Sequence, residues 1–167
     1  GKWYWEGQGK GYVAAICGMG GQYATASISA PGSESIGWWK DGPVYWDGGN
    51  NSGTTSYGSS DILGTALDMD NGVVYFYKNG TLTYTITFGS GTVPDLSDGV
   101  FPCYNNGQSS DTKTAIYNFG QRPFKYPPGG TGGPAATYKS ICTQNLDDPL
   151  IEDPSTAFDV ALYTSDG

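Results

Sequence analysis

Residues 38–57 concentrate side chains suited to recognition rather than to bond breaking. Trp38, Trp39, Tyr45, Trp46 and Tyr57 stand among Asp41, Asp47, Asn50, Asn51, Ser52 and Thr54. Flat aromatic faces give large contact area at low entropy cost, and short polar groups add directional hydrogen bonds; the mixture suits sugar rings and peptides alike. A second stretch, Tyr104, Asn105, Asn106 and Gln108, has the same character and is expected to share the same rim. The candidate ligand-binding residues are therefore Trp39, Asp41, Tyr45, Trp46, Asn50, Asn51 and Tyr57 on one loop, with the four of the second. Strand alternation turns only one of Trp38 and Trp39 into a core. Trp46, Asn50 and Asn51 are expected at the surface.

Catalytic chemistry finds little support. Histidine is absent, which removes His-based triads, imidazole metal sites and the usual general base near neutral pH. Asp68, Asp70, Asn71 and Gly72 have the look of the first half of a calcium loop, but the twelfth position is Asn79 rather than a bidentate Glu. A hairpin turn is the better reading of that run. Nothing selects a carboxylate pair at glycosidase separation. No catalytic residue, metal or cofactor is expected. The net charge of −8, with eight scattered Lys and Arg, argues against a nucleic-acid or anionic-membrane surface. No apolar stretch approaches the roughly 20 residues that cross a bilayer, so membrane insertion is not expected.

These groups need a scaffold, and the composition points to an all-β one. Of 167 residues, 27 are Gly, and Tyr, Trp and Phe are abundant, whereas helix formers are sparse. Strands are expected near 3–6, 12–17, 24–29, 35–39, 43–46, 62–68, 73–78, 81–87, 100–104 and 114–119, punctuated by Gly, Asn, Ser and Pro. Short, closely spaced strands imply two stacked antiparallel sheets, a β-sandwich. Pro and Gly at 127–134 read as a linker, and residues 135–167 as a C-terminal extension too small for its own core. Cys17, Cys103 and Cys142 are too far apart for the close-paired zinc pattern. They read as buried thiols; the alternative, outside a reducing cytosol, is one disulfide between an unspecified pair.

Five segments in order carry a family resemblance. Gly-Lys-Trp-Tyr-Trp-Glu at 1–6, Ser-Asp-Ile-Leu-Gly at 60–64, Ala-Leu-Asp at 66–68, Phe-Tyr-Lys-Asn-Gly at 76–80 and Phe-Pro at 101–102 resemble the SPRY domain across residues 1–126. The resemblance implies a twisted antiparallel sandwich of the concanavalin-like jelly-roll kind, without catalysis, whose loops at one end bind a peptide or protein surface. It also implies one or two strands before Gly1, so the chain is read as a fragment lacking them. Asn-Phe-Gly-Gln-Arg-Pro-Phe at 118–124 and Tyr-Lys-Ser-Ile-Cys-Thr-Gln-Asn-Leu at 138–146 are similar to SPRY-containing virion or tail-fibre-like proteins of tailed bacteriophages. In those, a segment like 153–164 leads into a further β-rich region.

The expected role is a non-catalytic domain on a virion surface, adhering to a host glycan or protein and contacting other subunits of its assembly. The alternatives are a cytoplasmic adaptor that binds a linear peptide and a fibre subunit with an assembly role only. A sandwich short of its first strand exposes an edge, and the alternating run with Phe158, Val160 and Leu162 on one side is the candidate to fill it, in its own or a neighbouring subunit.

Overall fold

Two turns set the centre of the fold. At Asn79 and Gly80 φ is 49° and 80°, the paired positive values that a two-residue hairpin needs, and they join β7 (Val73–Lys78) to β8 (Thr81–Thr87). The Asn79 side chain ties this turn down, accepting from the Ile62 amide at 2.9 Å and donating to Asp61 at 2.6 Å. The other turn joins β6 (Leu63–Asp68) to β7 and is built on the Asp68 carboxylate. One oxygen accepts from the amides of Asp70 and Asn71, each at 3.1 Å; the other accepts from Asn71 Nδ2 at 2.8 Å and Lys2 Nζ at 2.7 Å. Both oxygens serve the hairpin, the reading preferred over a calcium loop.

The computed structural model describes residues 1–18, 34–46, 49–105, 114–142 and 145, with the backbone alone at 49–52. Its strands form two sheets, so the chain is an all-β sandwich. The first runs β10 (Ala115–Asn118), β1 (Lys2–Gly9), β6, β7, β8; the second runs β5 (Gly49–Ser52), β4 (Val44–Trp46), β3 (Ser35–Trp38), β2 (Ala14–Gly18), β9 (Val100–Pro102). These pairings are antiparallel. One short addition, β11 (Lys139–Ser140), lies parallel to β1 at Trp3 and Tyr4, beside the stretch Glu6–Gly9 that β10 covers. With β6 on its other side, β1 is paired along both edges. The strand expected at 24–29 lies outside the described residues.

Alternation sorts the core. Trp5, Leu63, Leu67, Val74 and Phe76 point inward from the first sheet and meet Ile16, Ile36, Trp38, Val44 and Trp46 from the second. Trp38 sits at the centre, edge to face with Tyr57 and Tyr84 at 5.2 and 5.0 Å, a geometry that ring quadrupoles favour.

The chain itself covers part of the outer face of the first sheet, over Tyr4 and Glu6, while Leu82 and Ile116 on the same face stay exposed. Tyr4 and Glu6 point away from the core, yet both are buried. The Glu6 carboxylate accepts from the consecutive amides of Lys125 and Tyr126 at 2.8 and 2.7 Å and from the Tyr4 hydroxyl at 3.2 Å. The Phe124 ring meets Tyr4 edge to face at 5.1 Å. Residues 127–134 then form a tight loop, with Gly129 N donating to Pro134 O and Gly130 N to Pro127 O. The loop rests on the β7–β8 turn so closely that a Cβ on Gly80 would lie 2.6 Å from the Tyr126 ring and 3.1 Å from Gly132. The segment 119–142 is thus a strap across one side of the sandwich.

The cysteines correct the buried-thiol reading. Cys17 in β2 and Cys103, the residue after the neighbouring strand β9, form a disulfide across a sequence separation of 86. Cys142 lies just after β11, with its sulfur 3.3 Å from Ser140 Oγ.

Candidate functional site

On the second sheet, the side chains that alternate away from the core build an aromatic cluster. Ala15 from β2 and Tyr45 from β4 face outward, and Tyr12 and Trp39 pack with them. The Tyr12 ring is 4.7 Å from Trp39, tilted by 44°, and 5.8 Å from Tyr45, edge to face. A tight turn between β3 and β4 presents Trp39: its amide donates to Pro43 O at 2.7 Å, and the Gly42 amide donates back to Trp39 O at 2.9 Å. Positive φ at Gly42, 125°, lets the chain close there.

Asp41 gives this cluster its polar edge. One carboxylate oxygen accepts from Trp39 Nε1 at 3.0 Å and the other from Lys40 Nζ at 2.6 Å. Lys40 Nζ also lies 5.3 Å from the centre of the Trp39 ring, within cation–π range. Asp41 is exposed, while Trp39 and Tyr45 are half-buried. The pair Lys40–Asp41 is a surface pair that contributes little stability, about 0–1 kcal/mol. Its effect is to hold the indole in one orientation, which lowers the ordering cost of a ligand that stacks or hydrogen-bonds there.

The second loop reaches the same place. The Tyr12 amide donates to Asn105 O at 2.7 Å, so Asn105 borders the cluster. Just before it, the disulfide and the bond from Cys103 N to Ala15 O, 3.1 Å, pin the chain to β2. Tyr104 is half-buried, its hydroxyl donating to Lys10 O at 3.2 Å, and burial raises its pKa above the ordinary tyrosine value. The structure therefore brings Trp39, Asp41, Tyr45 and Asn105 around Tyr12, with Tyr104 at the side.

Two candidates are corrected. Trp46 is buried between the sheets, because β3–β4 pairing sets it opposite Ile36, and its indole N–H donates to Thr92 Oγ1 at 3.1 Å. Tyr57 is buried too. Its hydroxyl accepts from the Val13 amide at 3.2 Å and lies within hydrogen-bond distance of the carbonyls of Gly11 and Trp38. Burial pushes this hydroxyl well above the ordinary tyrosine pKa. Tyr57 is a strut under the cluster rather than a contact for a ligand. Asn50 and Asn51 belong to β5, where the backbone alone is described. Asn106, Gln108, Phe158, Val160 and Leu162 lie outside the described residues.

Sequence reasoning missed Tyr12 and Lys40 as members of the cluster. Simple alternation over 12–17 sends Tyr12 to the side of Ala14 and Ile16, which is the core. Val13 and Ala14 both face the core instead, and the break in alternation between them turns Tyr12 outward. Among the described residues, no group of three or more His, Cys, Asp or Glu side chains could hold a metal ion. The arrangement can stack, cover and hydrogen-bond a flat ligand. Compared with known proteins, the chain matches no family model and no curated protein.

Proposed function

We propose that this chain is a non-catalytic adhesive domain that works outside the reducing cytosol and binds through the outer face of its second sheet. The observation that carries the proposal is the Cys17–Cys103 disulfide beside the aromatic cluster. Disulfides persist in oxidising surroundings such as secreted proteins and virion surfaces. A cytoplasmic peptide-binding adaptor is expected to keep its cysteines reduced, so the disulfide weighs against that alternative. On the outer face of the second sheet Tyr12, Trp39 and Tyr45 pack together with Trp39 and Tyr45 half-buried, which leaves ring surface for a ligand.

The resemblance to SPRY domains of tailed-bacteriophage proteins supplies the setting: display on a virion or tail fibre, and attachment to a glycan or protein of the host surface. A jelly-roll relationship of the strands belongs to the same proposal. Trp39 and Tyr45 supply the flat contact, and Asp41 and Asn105 supply direction.

Adsorption of the oxidised, fluorescently labelled protein to a panel of bacterial envelopes tests this reading. Binding to a subset of envelopes is expected, with a loss of ten-fold or more in the Trp39→Ala/Tyr45→Ala variant and none in Thr85→Ala on β8. Equal adsorption by both variants contradicts the assignment of the face.

A further inference from the structure

An apolar groove lies where β9, the edge strand of the second sheet, meets the first sheet. It has a volume of about 480 Å³ and runs between β9 and the β1–β6 pair, lined by Trp3, Leu67, Val100, Phe101, Ile141 and Cys142. Its size falls within the range of about 300–1,000 Å³ over which proteins bury small ligands or peptide side chains. One wall is half-exposed Phe101 on β9; the facing wall is the segment that follows β11. The outward edge of β9 is a poor template for another strand, because Pro102 has no amide hydrogen to offer. Side chains rather than ladder bonds must fill the groove.

The turn after β11 closes at this rim. Ser140, Cys142 and Asn145 form a closed turn: Cys142 N donates to Ser140 O at 3.0 Å, Asn145 N to Cys142 O at 3.0 Å, and Asn145 Nδ2 to Ser140 O at 2.9 Å. Asn145 thus closes the turn beside the groove wall, and residues 146–167 follow it in the sequence. Within them Phe158, Val160 and Leu162 alternate with polar or small residues, the pattern of a segment with one apolar side. From Asn145 to Phe158 an extended chain reaches about 40 Å, ample to fold back over the rim.

We propose that the groove is the docking site for the chain's own C-terminal segment, which inserts side chains from the Phe158, Val160 and Leu162 side between β9 and the residues after β11. A tether this short sets an effective concentration on the order of millimolar. That favours docking within one chain over a second copy at ordinary protein concentrations. The docked segment covers Trp3 and Phe101. This site does not depend on the adhesive reading of the other face.

Nuclear Overhauser contacts in the isotope-labelled full chain test the assignment. Leu162 methyl or Phe158 ring protons are expected within contact range of Trp3 or Ile141, and the Leu162→Asp variant is expected to abolish those contacts and shift the Trp3 indole resonance while leaving the Trp38 indole in place. Absence of the contacts in the unaltered chain, or an unmoved Trp3 resonance in the variant, overturns the proposal. Contacts seen only between labelled and unlabelled molecules in a mixed sample also overturn it and make a second copy the occupant.

Discussion

The Glu6→Gln substitution is the sharpest test of how the strap is held. It keeps the shape of the side chain and changes one oxygen into a donor. Glu6 is 5% exposed and accepts from two consecutive backbone amides, those of Lys125 and Tyr126, and from the Tyr4 hydroxyl. Hydrogen bonds to a charged acceptor are worth about 1.5–3 kcal/mol each, against about 0.5–1.5 kcal/mol for neutral ones. In the variant the remaining carbonyl oxygen keeps one amide as a neutral bond, while the new NH₂ faces the other amide donor to donor. The loss of charge on one bond and of the other bond entirely comes to about 3 kcal/mol. For a protein of this size that lowers Tm by about 6–12 °C. Urea and thermal unfolding measure the global loss, and hydrogen exchange at Lys125 and Tyr126 measures the local one. A change below about 0.5 kcal/mol with unaltered exchange at both amides would refute the clamp.

Other outcomes follow from the same structure. Replacing Cys17 and Cys103 with Ser is expected to cost about 2–5 kcal/mol, since the disulfide closes a loop with a separation of 86 residues; reducing and non-reducing urea titrations measure it. For Asp68, burial alone raises the pKa, but the hydrogen bonds from Lys2 and Asn71 outweigh it and hold the carboxyl below its ordinary value. Asp61 is likewise held low: burial raises it, and the Gly58 amide, Asn79 and Lys78 more than offset this. A depressed folded-state pKa gives stability that is present above the unfolded value near 4 and is lost as pH falls below it. Stability is therefore expected to drop below about pH 4, and less steeply in Asp68→Asn, as followed by urea midpoints across the acid range. Burial raises Tyr4, Tyr57 and Tyr117 well above the ordinary value. Their contribution is full below about pH 10 and is lost above it, so tyrosinate absorbance from these residues is expected to rise only together with alkaline unfolding.

Sequence pattern sufficed where local chemistry decides. Strands β7 and β8 have the expected limits because β-branched and aromatic runs end at Asn79 and Gly80, whose turn tolerates few other residues. Trp38 and Trp39 divide between core and surface as alternation requires. Pattern failed where pairing decides. Strands β5 and β11, Gly-Asn-Asn-Ser and Lys-Ser, have little intrinsic strand preference and exist because β4 and β1 offer them partners. The burial of Trp46 depends on a register that sets it opposite Ile36, and nearby Gly and Asn gave a misleading surface signal. The cysteine pair depends on β2 and β9 lying side by side although 86 residues apart. The proposed face was only partly legible: Trp39, Tyr45 and Asn105 lie around Tyr12, with Asp41 bonded to Trp39, and the outward turn of Tyr12 comes from an irregularity that no periodicity reveals.

The central claim is that the outer face of the second sheet is the recognition surface. Hydrogen exchange on the oxidised protein adsorbed to a bacterial envelope that binds it, compared with the protein in solution, tests this most directly. Added protection is predicted at residues 12–17 and 36–45 and at Asn105, with β6–β8 unchanged. Protection confined to the first sheet and its strap, or adsorption to no envelope in the panel, would contradict the account.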